Sequence, residues 1–73
     1  MPIQIVMDAT GDTRHEFDAD DAAAVGEAKK RFDELMDAGF IAAKRTGSGT
    51  SQLIRRFDAN VEETLFIPRL VAG

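Results

Sequence analysis

The sequence predicts an α+β fold: a mixed sheet with one helix packed across one face, in the order β-β-α-β-β-β. Three observations carry that expectation. Short stretches of period-two apolar alternation flank a single stretch of helical periodicity. Turn-forming residues separate the alternating stretches in pairs, as hairpins require. The composition, 73 residues with 44% hydrophobic, 30% charged and only two prolines, suits one small folded domain and not a disordered chain.

Residues 3–7 alternate, with Ile3, Ile5 and Met7 on one face and Gln4, Val6 and Asp8 on the other. Val6 on the second face points to a strand that is not simply half-exposed and lies centrally in the sheet. Ala9-Thr10-Gly11-Asp12 is a turn cluster, and Thr13 to Phe17 follows as the return strand. Asp18 is the expected helix N-cap, with Asp20 and Asp21 complementing the positive end of the helix dipole. Val25, Ala28, Phe32, Leu35 and Met36 recur at spacings of three and four, so residues 19–38 are expected to form an amphipathic helix. Gly39 is the expected left-handed residue just past its end.

Phe40 to Arg45 alternates again, and Thr46-Gly47-Ser48-Gly49-Thr50 has the composition of a hairpin loop. Gln52 to Phe57 is the expected fourth strand, with Leu53, Arg55 and Phe57 on one face. Asp58 to Glu63 carries turn residues. Thr64 to Ile67 is the most hydrophobic strand and is expected in the middle of the sheet beside the first, flanked by the two hairpins' outer strands. Pro68 ends it, because proline cannot donate to a ladder. The chain is expected to form one domain over residues 1–73, with residues 69–73 as a flexible C-terminal tail.

Composition excludes several functions. Without cysteine there is no disulfide, thiolate metal site or thiol nucleophile. The lone histidine, His15, cannot supply a His-based zinc cluster, and alternate residues of its strand point to opposite faces, so an exposed strand histidine and no metal are expected. Asp18, Asp20 and Asp21 lack the glycine and distal glutamate of a calcium loop. The loop 46–50 lacks a P-loop's Lys-Ser/Thr and sits between strands, where it cannot open a helix onto a phosphate. No nucleophile, base and electrophile can be assembled, so neither an enzyme nor a cofactor is expected.

Residues 1–39 carry ten acids against four bases, while residues 40–73 carry five bases against three acids. With a net charge of −4 and no Trp or Tyr, nucleic-acid binding is not expected. The N-terminus has no secretory-signal pattern, and no apolar run approaches the roughly 20 residues of a membrane helix. The protein is therefore expected to be cytoplasmic, with no membrane partner; its oligomeric state is open, with a monomer favoured.

The element order resembles that of the β-grasp, or ubiquitin-like, superfamily. The segment Glu63-Thr64-Leu65-Phe66-Ile67-Pro68-Arg69-Leu70-Val71-Ala72-Gly73 looks like the end of ubiquitin in its Thr-Leu, apolar strand, Arg-Leu pair and final glycine. Its Phe66-Ile67-Pro68 and Val71-Ala72-Gly73 are equally similar to the ending of the small sulfur-carrier subunit of molybdopterin synthase. Where those endings have two glycines, this chain has Ala72 before Gly73. The resemblance implies that the Gly73 carboxylate is the reactive group, adenylated by a separate ATP-dependent activating enzyme and then passed to sulfur or to a thiol and an amine. Ala72 and Gly73 are the residues concerned.

Two functions follow as expectations. The first is a non-enzymatic protein-interaction module acting through its exposed sheet face or edge. The alternative is a modifier or sulfur carrier activated at Gly73. For the first, Ile54, Arg56, Ala42 and Lys44 are expected on the uncovered sheet face as a mixed apolar and basic patch. Lys44, Ile54, Arg55, Arg56, Arg69 and Leu70 are the candidate residues that bind a protein partner.

Overall fold

The computed structural model describes residues 1–45 and 49–69. It is a small α+β domain with one helix on a five-stranded mixed sheet. The elements are β1 (Ile3–Asp8), β2 (Gly11–Glu16), α1 (Ala22–Asp37), β3 (Phe40–Arg45), β4 (Ser51–Ile54) and β5 (Glu63–Pro68), and the sheet order is β2-β1-β5-β3-β4. β5 is central, parallel to β1 and antiparallel to β3, as its apolar run predicts. The hairpin partners β2 and β4 are the edges.

Local chemistry accounts for the joints. In the first hairpin the Asp8 carboxylate accepts from the Thr10 amide (2.8 Å) and hydroxyl (2.6 Å). These bonds, hydroxyl first, hold its pKa below the usual carboxylate value. The helix begins three residues later than residue 19, and its cap is Asp21, not Asp18. Asp21 has an extended backbone, and its carboxylate accepts from the amides of Ala23 (3.0 Å) and Ala24 (3.3 Å). Asp18 is occupied by a preceding turn, where its side chain accepts from Asp20 N–H and its carbonyl from Asp21 N–H. At the other end Gly39 has φ +94° and donates to the Met36 carbonyl. A side chain rarely adopts that conformation, which is why glycine stops this helix.

Register separates the sheet into two faces. On the side that α1 covers, Val6, Phe66, Ala42 and Ile54 form one cross-strand row, continued by Thr13 on β2. Phe32 of α1 seats on this row, making a core of Phe32, Ala42 and Phe66. Val6, Leu35, Met36, Phe40, Ile54 and Phe57 pack around it. Phe17, Phe57, Phe32 and Phe66 form a chain of ring contacts with centroids 6.0, 6.0 and 5.5 Å apart. The Phe32–Phe66 and Phe32–Phe57 pairs are edge-to-face, a geometry that adds about 0.5–1.5 kcal/mol beyond area burial.

This arrangement corrects the expected fourth strand and the expected uncovered patch. β4 ends at Ile54, with a bend at Arg55–Arg56. Continued alternation would have put Phe57 beside Leu53, away from the helix. Leaving the ladder lets Phe57 turn to the helix side and meet Phe32 and Phe17. Ala42 and Ile54 are likewise not on the open face. Ala42 is fully buried in the core beneath the helix, and Ile54 is half-buried against it.

A second, polar row lies on the helix side: His15, Gln4, Thr64, Lys44 and Gln52. Gln4 is fully buried and bonded at both ends of its amide. Its Nε2 donates to the Ala28 carbonyl of α1 (3.0 Å), and its Oε1 accepts from Arg31 Nη1 (2.8 Å). A buried amide left unpaired would cost about 1–3 kcal/mol, so these bonds fix where the helix sits over β1. No buried side-chain polar atom among the described residues lacks a partner.

Candidate functional site

The opposite face of the sheet is the candidate site. The alternate residues of each strand build it, because neighbours along a strand point to opposite sides. Its central row runs Arg14, Ile5, Leu65, Ala43, Leu53 across all five strands. Ile41 and Ile67 are paired in the next row, and Met7 stands opposite Asp12. Ile5 and Ala43 are buried by their neighbours, whereas Met7 (44%), Ile67 (43%) and Leu53 (71%) are exposed. No described element covers this face.

Charge borders the apolar strip. Arg14 pairs with Asp12 at 3.4 Å on the β2 edge, and Arg45 with Glu63 at 3.3 Å between β3 and β5. Between the two pairs lies a shallow depression of about 370 Å³ floored by Ile5 and Leu65. Asp12, Arg14 and Arg45 are exposed and Glu63 is half-buried, so each pair contributes little to stability and can be re-formed with an incoming group. The site can hold apolar side chains and orient charged ones. Among the described residues, no group of three or more His, Asp or Glu could hold a metal ion.

The sequence-predicted residues fall into separate places. Lys44, Ile54, Arg55 and Arg56 line one shallow cleft of about 450 Å³ with Asp58 and Val61, at the β4 side of the domain. This cleft is not the open face, since Lys44 and Ile54 belong to rows that α1 faces. Arg55 and Arg56 are exposed and form no ion pair with a described residue. Arg69 is exposed just beyond Pro68, which pairs with Phe40, at the opposite end of β3 from Lys44. Leu70, Ala72 and Gly73 lie outside the described residues.

The open-face residues Ile5, Met7, Leu53, Leu65 and Ile67 were not singled out by sequence reasoning. A signal for them exists: β1 and β5 carry apolar residues on both faces, while one helix can cover only one. His15, expected as an exposed strand residue, is half-buried on the helix side opposite Gln4. Desolvation, with the nearby Arg31 guanidinium, holds its pKa below the ordinary imidazole value.

No protein family, curated protein or solved structure matches this chain. No described helix is long and apolar enough to cross a membrane.

Proposed function

We propose that this protein is a β-grasp, ubiquitin-like interaction module that docks a protein partner on the open face of its sheet. The continuous row Ile5-Leu65-Ala43-Leu53, with Met7 and Ile67 exposed beside it, is the observation that supports the reading. Apolar side chains at the centre of a polar-rimmed surface supply most of the binding energy in such contacts. The partner that fits presents apolar side chains to the strip and charges that re-pair with Arg14 and Arg45. The basic cleft at Lys44, Arg55 and Arg56 borders the same β4 edge and extends the surface for an acidic partner. A photo-crosslinking residue at position 53 or 67 tests this in cells. Adducts at both positions, absent from the same residue at Lys30 on the outer helix surface, support the reading. Equal labelling at all three overturns it.

The central position of β5 and its exposed exit at Pro68 and Arg69 favour one second reading, the modifier or sulfur carrier. There the Gly73 carboxylate attacks the α-phosphate of ATP held by an activating enzyme, giving an acyl adenylate and releasing pyrophosphate. Intact-mass measurement with a ubiquitin-type adenylating enzyme, ATP and sulfide, which displaces AMP from the adenylate, tests it. A thioester or thiocarboxylate product lost on deleting Gly73 supports it, and an unmodified mass overturns it.

A further inference from the structure

The β2 edge is self-complementary in one register, and we propose that two copies of this chain associate there, β2 against β2, into a ten-stranded sheet. The proposal stands on the edge strand alone and does not depend on which partner binds the open face.

Hydrogen-bond parity limits the choices. The Phe17 amide donates to the Pro2 carbonyl at 3.0 Å, which makes residues 2 and 17 a hydrogen-bonded pair of the β1–β2 ladder. Such pairs alternate with non-bonded ones along an antiparallel ladder. Gly11, Thr13 and His15 therefore turn their backbone groups toward β1, and Asp12, Arg14 and Glu16 turn theirs outward. A second β2 can bond only by pairing members of that outward set with one another. A two-fold axis through Asp12, Thr13, Arg14 or His15 meets this condition.

Charge selects among the four. An axis through Asp12 sets aspartate against its own copy. An axis through Arg14 sets arginine against arginine and Asp12 against Glu16. An axis through His15 pairs Arg14 with Glu16 but brings Asp12 against Asp18. Only the axis through Thr13 pairs Asp12 with Arg14 twice without opposing like charges. Directly opposed residues share a face, so both cross-strand ion pairs form on the open side. In the single chain Asp12 and Arg14 already contact each other at 3.4 Å, but both are exposed, and exchanging that contact for its counterpart across the axis costs little. Charges on an edge strand ordinarily discourage pairing. Alternating sign turns the same charges into a selector of one register. Because the axis is perpendicular to the sheet, the two apolar open faces become one and both helices lie on the other side.

Sedimentation velocity across a concentration series tests the proposal, with circular dichroism confirming that each variant is folded. The wild-type chain is expected to move from monomer to dimer as concentration rises. The D12R/E16R chain carries only bases at positions 12, 14 and 16 and the Arg14→Asp chain only acids, so like charges meet in each of the four registers and each chain alone is expected to stay monomeric. Their equimolar mixture, and the double exchange D12R/R14D, are expected to dimerise again. Register has its own test in this cysteine-free chain. The Thr13 pair would be non-hydrogen-bonded, with Cα atoms about 4.5 Å apart, close enough for a disulfide. Thr13→Cys is therefore expected to oxidise to a dimer faster than Gln52→Cys on the opposite edge. A wild-type monomer at all concentrations, like-charged edge variants that dimerise alone like the wild type, or equal oxidation of the two cysteine variants overturns the proposal.

Discussion

The two faces of the sheet are built from the same strands and differ in what each residue does. On the helix side, Phe66, Ala42 and Val6 are sealed beneath Phe32, and the one buried polar side chain with strong demands, Gln4, is bonded at both ends. On the open side, an apolar row, Ile5-Leu65-Ala43-Leu53, has no covering element among the described residues, and Leu53 at its β4 end is 71% exposed. Hydrophobicity along a strand thus does not say which face is the core. The partner element decides that. An apolar row lacking a partner among the described residues is free to bind one outside them.

Substitution at the helix-side centre gives the largest effect. Phe66→Ala removes a fully buried ring and its edge-to-face contact with Phe32. The expected loss is about 3–5 kcal/mol. A small domain has only about 5–15 kcal/mol in all, so the variant should be largely unfolded near body temperature in a thermal melt. A loss under about 1 kcal/mol would show that the core is not where Phe32 meets the sheet.

Gln4 comes next. Gln4→Met keeps much of the volume but removes both hydrogen bonds, and a cost of about 1–3 kcal/mol is expected in denaturant unfolding. Arg31→Met should cost less, because Arg31 is only half-buried and leaves Gln4 its bond to Ala28. If Arg31→Met cost more than Gln4→Met, the arginine would be holding the helix to β1 in place of the amide.

A smaller, pH-dependent difference should come from His15. Its folded pKa is depressed, so the unfolded chain binds the proton more readily. The stability it contributes is complete above the ordinary imidazole value of 6.5 and is lost as pH falls through that value toward the folded one. The gap in stability between wild type and His15→Gln should therefore shift against the wild type between about pH 8 and pH 5. A gap that does not move with pH would place His15 in solvent, away from the polar row.

Much of the fold was legible in the sequence. Element number and order, the helix stripe, the Gly39 stop and the central place of β5 follow from periodicity, turn chemistry and apolar content, all local properties. The faces were not legible. The even residues of β1 include Gln4, which looks like a solvent residue, and the odd ones are Ile3, Ile5 and Met7, which look like the core. The helix covers the even set, where Val6 joins the core and Gln4 satisfies its amide against Ala28 and Arg31, residues more than twenty positions away. The same distance hid the sites of Ala42 and Ile54, whose parity follows Phe66 through the register of β3 and β5. Phe57 escaped because it leaves its strand to reach a ring on α1. Each of these three misses turns on a long-range contact that no window of local sequence contains.

The smallest expected effect most directly separates the two faces. Leu53→Asp replaces an exposed leucine at the end of the open row, next to the edge of the sheet. In a covered face, an aspartate in an apolar row would be strongly destabilising, because its charge would have to be buried. On an open face the carboxylate stays in water, and stability should change by no more than about 0.5 kcal/mol. Stability and partner capture should then come apart: the variant melts like the wild type, while crosslinking from position 67 to a bound partner falls. A drop of several degrees in melting temperature would mean that something in the chain already covers Leu53, and the open face would lose its claim to be a docking surface. An unchanged melt with unchanged crosslinking would leave the face open but move the docking toward Met7 and Ile67, away from β4.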